Sequence, residues 1–334
     1  MKIIKISLIV VVSFIAIVAI WIGTIDNTFA EGETSDYINS SEKLFAEHYL
    51  APESKVVETD GPVKKVHYYE MGSGKPLILI HGGGGYASQW YTIMQDLADT
   101  AHLFVVDRPG CGLTDYYDYE NADLGDHGAE FIRSFMDATE LESATIVGHS
   151  MGGLFSVNFA NKYEERIDKL ILIGHPAGGT KDIPPMMRLM GVKGINKGMR
   201  KMIGPPSVKG TKEFHSMMLV ADTAHLPPSY WENDVNAQRI PGTAKSFNSL
   251  LENCVGFGGF TENQLIHDKL TTLSIPVHFI IGDQDIWDTM ENAKTLVASM
   301  PQAKLTEVEN ASHLPWLDNP SICAQLITET LHNN

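Results

Sequence analysis

Between residues 65 and 332, short apolar runs alternate with helix-length amphipathic segments, and this alternation leaves few folds open. The runs fall at 65–70, 76–81, 103–107, 144–148, 169–174, 277–282 and 304–308, and the helical patterns at 87–97, 122–139, 150–162, 290–300 and 320–332. Strands that are apolar along most of their length are buried on both faces, which requires helices to cover them. The expected fold is therefore α/β, a mostly parallel sheet flanked by helices. A hydrophobic content of 43% supplies the core such a fold needs.

One stretch, 178–265, breaks the rhythm. Pro184-Pro185, Pro205-Pro206 and Pro227-Pro228 separate helical pieces there without strong strands. Seven methionines (186, 187, 190, 199, 202, 217 and 218) fall within it, with Phe214, Tyr230, Trp231 and Phe247. Methionine is adaptable apolar filling, so the expectation is a helical cap that shapes an apolar pocket. The expected divisions are 56–177 with 266–334 as the core, 178–265 as the cap, and 31–55 as a polar tether with one short helix near 41–49.

The first 30 residues are expected to direct export. Lys2 and Lys5 precede an apolar run from Ile6 to Gly23, followed by Asp26, Glu31 and Glu33. The run reaches the roughly 18 residues that span a bilayer, which favours an uncleaved anchor. Thr28-Phe29-Ala30 offers the alternative of a signal peptide cleaved near Ala30. Either way the positive-inside bias is expected to place the rest of the chain outside the cytoplasm. With 25 Lys and Arg against 41 Asp and Glu, the net charge of −16 has the wrong sign for nucleic acid. Cys111, Cys254 and Cys323 fit neither a disulfide framework nor a metal-ligand spacing, although Cys254 and Cys323 are a conceivable pair in an oxidising compartment.

The chemistry is concentrated at Gly148-His149-Ser150-Met151-Gly152, which follows the run 144–148 and opens a helical pattern. A serine at a strained strand-to-helix turn exposes its hydroxyl, and flanking glycines let the backbone turn and the helix pack. His81-Gly82-Gly83-Gly84-Gly85 follows another strand, so the N–H groups of Gly83 and Met151 are the expected oxyanion donors. Asp107-Arg108-Pro109-Gly110-Cys111-Gly112 reads as a tight structural turn. Chain order prunes the remaining partners, because Ser, then Asp or Glu, then His belongs to this architecture. Asp283, Asp285 and Asp288 follow the run 277–282, and only His313 and His332 lie beyond them. His332 stands in a terminal tail, so His313 is the expected base. Gly84, Met187, Met217 and Trp231 are candidate substrate contacts.

From about residue 63 to 332 the chain resembles the α/β-hydrolase superfamily, in the abhydrolase form with a helical cap and a serine nucleophile. H-G-G-G, D-R-P-G-C-G, G-H-S-M-G-G, G-D-Q-D and S-H-L-P-W-L-D-N-P occur in family order. The resemblance implies that the acid is Asp285, three residues after the glycine, with Asp283 and then Asp288 behind it. It also implies a Ser150–Asp285–His313 triad, an acyl-enzyme, and no metal or organic cofactor. H-G-G-G and S-M-G-G are similar to elements of carboxylesterases and of carbon–carbon bond hydrolases of the meta-cleavage type. Gly85-Tyr86 stands where the latter have proline and glycine.

The expected activity is carboxylesterase action on a small or medium apolar acyl ester, with water as second substrate. Amide, lactone and carbon–carbon bond hydrolysis are the alternatives, followed by a peroxide-using variant. A non-catalytic ligand-binding protein on the same fold is the rival from another class.

Overall fold

The computed structural model describes residues 31–333. The seven apolar runs, with one further edge strand, assemble into one eight-stranded sheet. In chain order the strands are β1 (Glu53–Glu58), β2 (Lys65–Gly72), β3 (Pro76–Ile80), β4 (His102–Val106) and β5 (Ala144–His149). There follow β6 (Ile167–Ile173), a two-residue pair β7 (Val255–Gly256) and β8 (Gly259–Phe260), β9 (Val277–Gly282) and β10 (Ala303–Val308). β1 and β2 are antiparallel additions at one edge, and β4, β3, β5, β6, β9 and β10 run parallel. All six residues of β5 and all six of β9 are buried, as expected of central strands covered on both faces.

Two apolar layers sandwich the sheet. On one side, Ile78, Ile146, Leu172 and Phe279 face the helices Leu124–Ala138 and Met151–Lys162. On the other, Leu79, Val147, Ile171 and Ile280 face Tyr91–Ala98 and Pro320–His332. There Trp90 and Trp316 stack with centroids 4.0 Å apart, and the Trp316 indole N–H donates to the Gln89 carbonyl at 3.1 Å. The chain is thus a mostly parallel sheet flanked by helices.

The polar tether expected over 31–55 is not what forms. Residues Thr34–Glu47 make a 14-residue helix that buries Tyr37, Ser40, Ser41, Leu44 and Phe45, and β1 begins at Glu53. The helix packs along Pro228–Arg239 through a buried polar chain. Tyr37 Oη and Ser88 Oγ are 3.1 Å apart, Ser88 Oγ–H donates to Asn233 Oδ1 at 2.8 Å, and the Asn233 amide donates to Ser41 at 2.8 Å. Serines that read as solvated surface are instead hydrogen-bonded interior groups.

Between β6 and β9 the chain leaves the sheet for the helices Pro185–Met190, Ile195–Ile203, Val208–Met218, Pro228–Arg239 and Thr243–Cys254. Cys111, Cys254 and Cys323 are free and buried, so Cys254 and Cys323 are not paired. Among the described residues no helix is long and apolar enough to cross a membrane. The anchor or signal expected over residues 1–30 lies outside the described residues.

Candidate active site

The carboxyl ends of β3, β5, β6 and β9 bring four loops together. β5 runs into Ser150, one of four non-glycine residues with positive φ among the described residues (48°, with ψ −112°), and the helix Met151–Lys162 starts on the next residue. Such a conformation costs of order 1–3 kcal/mol and persists only where its surroundings fix it. Gly152 shows what fixes it: a Cβ there would lie 2.2 Å from the Ile80 carbonyl oxygen, so the new helix passes directly against the end of β3. Met151, as first helical residue, has an N–H without an intrahelical acceptor.

The glycine loop after β3 lies against this turn. A Cβ on Gly82 would sit 3.1 Å from the Ser150 Cβ, and one on Gly83 would sit 3.9 Å from the Met151 Cβ. The Phe247 ring covers Gly83 and Gly84. Behind the loop Arg108 is fully buried. Its Nε–H donates to the His81 carbonyl at 2.9 Å, its Nη2–H to the Gly82 carbonyl at 2.6 Å, and its backbone N–H to His81 Nε2 at 3.0 Å. Carbonyl and N–H point in opposite directions across a trans peptide. Holding the Gly82 carbonyl on Arg108 therefore turns the Gly83 N–H away from Arg108. Burial, and then the Arg108 charge, hold the His81 imidazole down to about 3, so it stays neutral.

The three candidate carboxylates separate cleanly. Asp285, after β9, accepts from His313 Nδ1 at 2.8 Å and from the His175 backbone N–H at 3.0 Å through Oδ2. Its Oδ1 accepts the Trp287 N–H at 2.9 Å. Burial would raise this carboxyl, but the His313 ring, His175 and these donors hold it well below the usual carboxylate range. Asp283 accepts the Ala311 N–H at 3.1 Å and so braces the loop before His313. Asp288 accepts from the Thr289 N–H and the Asn292 amide, at the start of Met290–Ala298.

His313 is held on every side. Trp287 stacks on it with centroids 5.0 Å apart, and the Trp287 indole N–H donates to the Met218 carbonyl at 3.0 Å. The His313 carbonyl accepts from His149 Nε2 at 3.0 Å. His149 precedes Ser150, so one imidazole ties the serine turn to the histidine loop. Burial, and then the neighbouring His313, push the His149 imidazole well below its ordinary value, which keeps it neutral. With Nδ1 donating to Asp285, His313 Nε2 is the acceptor nitrogen; it is buried and has no hydrogen-bond partner among the described residues. His332 ends the helix Pro320–His332 in solvent.

Two expected substrate contacts fall elsewhere. Met217 is 55% exposed on the outer side of Val208–Met218, where helical phase turns Met218 inward in its place. Trp231 is fully buried in packing, with its ring 5.0 Å from Tyr230 and 5.2 Å from His215 and its indole N–H on the Leu226 carbonyl. Met187 is buried in the same apolar cluster as Met151 and Met218. Phe247, Trp287 and Arg108 take part in shaping the site. Only the D-R-P-G-C-G turn hinted at Arg108, and the sequence contained no signal for its carbonyl contacts.

The model of the α/β-hydrolase fold family matches residues 75–320. A 2-hydroxy-6-oxo-6-phenylhexa-2,4-dienoate hydrolase from Comamonas testosteroni is 31% identical over 201 residues, 58% of this chain and 67% of that protein. A carboxylesterase from Bacillus subtilis superposes with a TM-score of 0.72 at 19% identity, covering 90% of this chain and 99% of its own. The dienoate hydrolase from Rhodococcus sp. strain RHA1 gives 0.70 at 21% identity, with 85% and 100% covered. The chain belongs to the α/β-hydrolase family and stands with its relatives among the hydrolases.

Proposed function

We propose that this protein is a serine hydrolase that cleaves carboxylic esters of small or medium apolar acyl chains through an acyl-enzyme. The observation that carries the reading is the 2.8 Å contact between Asp285 Oδ2 and His313 Nδ1, which leaves the buried Nε2 as a base beside the Ser150 turn. His313 Nε2 takes the Ser150 proton as Oγ attacks the carbonyl carbon, and Asp285 holds the tautomer and balances the imidazolium. The N–H groups of Gly83 and Met151 receive the oxyanion, with Arg108 orienting the former through the Gly82 carbonyl. The carbon–oxygen bond then breaks, and the alcohol leaves with the proton from His313. Water attacks the acyl-enzyme, giving its proton to His313 Nε2, which returns it to Ser150 as the acid departs.

In this reading the segment 178–265 is a cap over the site, and Phe247 and Met187 set the fit of the acyl chain. The residues 1–30 place the catalytic domain outside the cytoplasm. A mature chain starting at Glu31 in the soluble fraction would identify a cleaved signal rather than an anchor.

Carbon–carbon bond hydrolysis of a dienoate is a second reading, favoured by one contact. The Arg200 guanidinium lies 5.7 Å above the Phe247 ring that covers Gly83 and Gly84, which brings a cation toward the site where a substrate carboxylate would be held. Product identification across esters of graded acyl length and ring-cleavage dienoates separates the two. Ester turnover well above dienoate turnover is the expected result, and the reverse order would overturn the ester reading.

A further inference from the structure

The glycine loop carries the proposed oxyanion donor Gly83, yet residues 82–85 have no side chains with which to fix it. It is held from outside at both ends. At its start the Gly82 carbonyl accepts from Arg108 Nη2–H at 2.6 Å, from His81 Nδ1–H at 2.9 Å and from the Gly85 N–H at 3.2 Å. At its end the Ala87 N–H donates to Asp107 Oδ1 at 2.6 Å. Asp107 and Arg108 are consecutive, so one turn after β4 grips the loop by a carbonyl and by an amide.

Asp107 is fully buried, and an ionised carboxylate is costly in a dry interior unless donors surround it. Its Oδ2 accepts from His67 Nδ1–H at 2.7 Å and from the Leu113 N–H at 3.0 Å. A Cβ on Gly112 would sit 2.1 Å from the carboxyl carbon, so the turn wraps directly over the group. Burial would raise this carboxyl, but the His67 ring and the Leu113 N–H hold it below its usual value.

His67, fully buried on β2, is fixed in turn. Its backbone N–H donates to Thr114 Oγ1 at 2.9 Å, the Thr114 hydroxyl to the Asp107 carbonyl at 2.8 Å, and the Asp107 N–H to the His67 carbonyl at 3.0 Å. With Nδ1 donating, Nε2 accepts from the Ser54 hydroxyl, 2.9 Å away on β1. The order serine, histidine, carboxylate is that of the proposed triad, but here the carboxylate's other oxygen ends on backbone.

We propose that Asp107 and His67 are positioning residues for the oxyanion hole: by holding the Ala87 N–H they fix the far end of the glycine loop, and with it the direction of the Gly83 N–H. The peptide plane between Gly82 and Gly83 sets that direction. With Ala87 released, the turn closed by Gly85 is free to pivot about the Gly82 carbonyl. A displacement of about 1 Å at a reacting site costs up to about 10²-fold in rate. Tyr86, buried edge-on against Tyr37, limits the pivot, so the loss should be smaller than that. This role rests on the hydrolase reading of Ser150.

kcat and KM for a small activated ester, measured with the thermal midpoint in His67→Leu, His67→Gln and Asp107→Asn, test it. His67→Leu should lower kcat about ten-fold with KM within about two-fold of the parent. His67→Gln, whose amide can still donate to Asp107, should bring kcat back to within about three-fold. Asp107→Asn offers one acceptor oxygen where two are used, and should lose as much as His67→Leu; it decides the matter if His67→Leu does not fold. Fluorophosphonate labelling of Ser150 should slow in proportion, because phosphonylation draws on the same oxyanion donors. Parental kcat in folded His67→Leu or Asp107→Asn, or a loss confined to KM or to the thermal midpoint, would overturn the positioning role while Ser150 is still labelled. A parent protein unlabelled at Ser150 would instead remove the hydrolase reading, and this role with it.

Discussion

The loops at the carboxyl ends of β5 and β9 and the insertion between β6 and β9 are built by different means. In the loops directional bonds set the geometry: Asp285 takes three donors, His149 ties two loops, and behind them Arg108, after β4, holds two carbonyls. The insertion is organised chiefly by apolar packing, with buried Met187 and Met218 beside exposed Met202 and Met217. Directional bonds in a dry interior fix geometry to a fraction of an ångström, whereas methionine packing adapts. Substitutions in the loops should therefore abolish function, and those in the insertion should retune it.

The largest effects should come from Ser150→Ala and His313→Ala, each lowering turnover by about 10⁴-fold or more while the thermal midpoint stays near that of the parent. Asp285→Asn should approach the same loss, because an amide facing Nδ1 favours the wrong tautomer. Asp283→Asn should cost far less, since Asp283 braces backbone only; steady-state kinetics on a small activated ester gives the ranking. Near-parental activity in Ser150→Ala would erase the contrast between the two regions.

Arg108→Met tests the loops without touching a reacting group. If the guanidinium orients the Gly83 N–H, kcat should fall by about 10²-fold with KM little changed. A loss confined to thermal stability would reduce Arg108 to a packing role.

A stability effect of intermediate size should appear with pH. Burial first, with the Arg108 charge adding to it, holds the imidazoles of His81 and His127 at about 3; burial likewise holds His278 at about 4. A histidine lowered in the fold binds its proton in the unfolded chain first. Stability is therefore lost as pH falls from about 6.5 toward these values, by up to about 1.4 kcal/mol per pH unit for each group. Asp107 and Asp285 have lowered values, so their contribution is retained until pH falls below about 4. His127 has neither ring nitrogen hydrogen-bonded, which makes His127→Leu the cleanest check. That variant should match the parent near pH 7 and lose less stability by pH 5 in thermal melts; an unchanged slope would remove His127 from the account.

The smallest effects should come from the insertion. Each added methylene on the acyl chain should improve apparent affinity by up to about 0.8 kcal/mol until the space is filled. Met187→Ala or Phe247→Leu should move the chain length at which the gain stops, by one or two carbons, and leave turnover of an acetyl ester within several-fold. A profile that does not move would make these residues ordinary packing.

The difference between the regions also governs what the sequence reveals. The seven strands read from apolar runs all form, and the central β5 and β9, buried at every residue, carry the most continuous apolar signature. β1 escaped because its residues Glu53–Glu58 form an edge strand with alternate exposure and little apolar content. The helix Thr34–Glu47 was legible only in part, as a short helix near 41–49, because its buried side includes Ser40 and Ser41, which composition cannot distinguish from surface serines. The serine turn was legible as a motif, since close backbone approach demands glycine at 152. The work of Arg108 and His149 was not, because both act on carbonyls of residues distant in sequence, and any residue type supplies a carbonyl.

The central claim is that Ser150 is the activated nucleophile. Incubation with a fluorophosphonate, followed by mass spectrometry of the digested protein, tests it without knowledge of the substrate. The account predicts one adduct on the peptide containing Ser150, lost in Ser150→Ala and slowed by orders of magnitude in His313→Ala. An unlabelled parent protein, or an adduct that persists in Ser150→Ala, would contradict it.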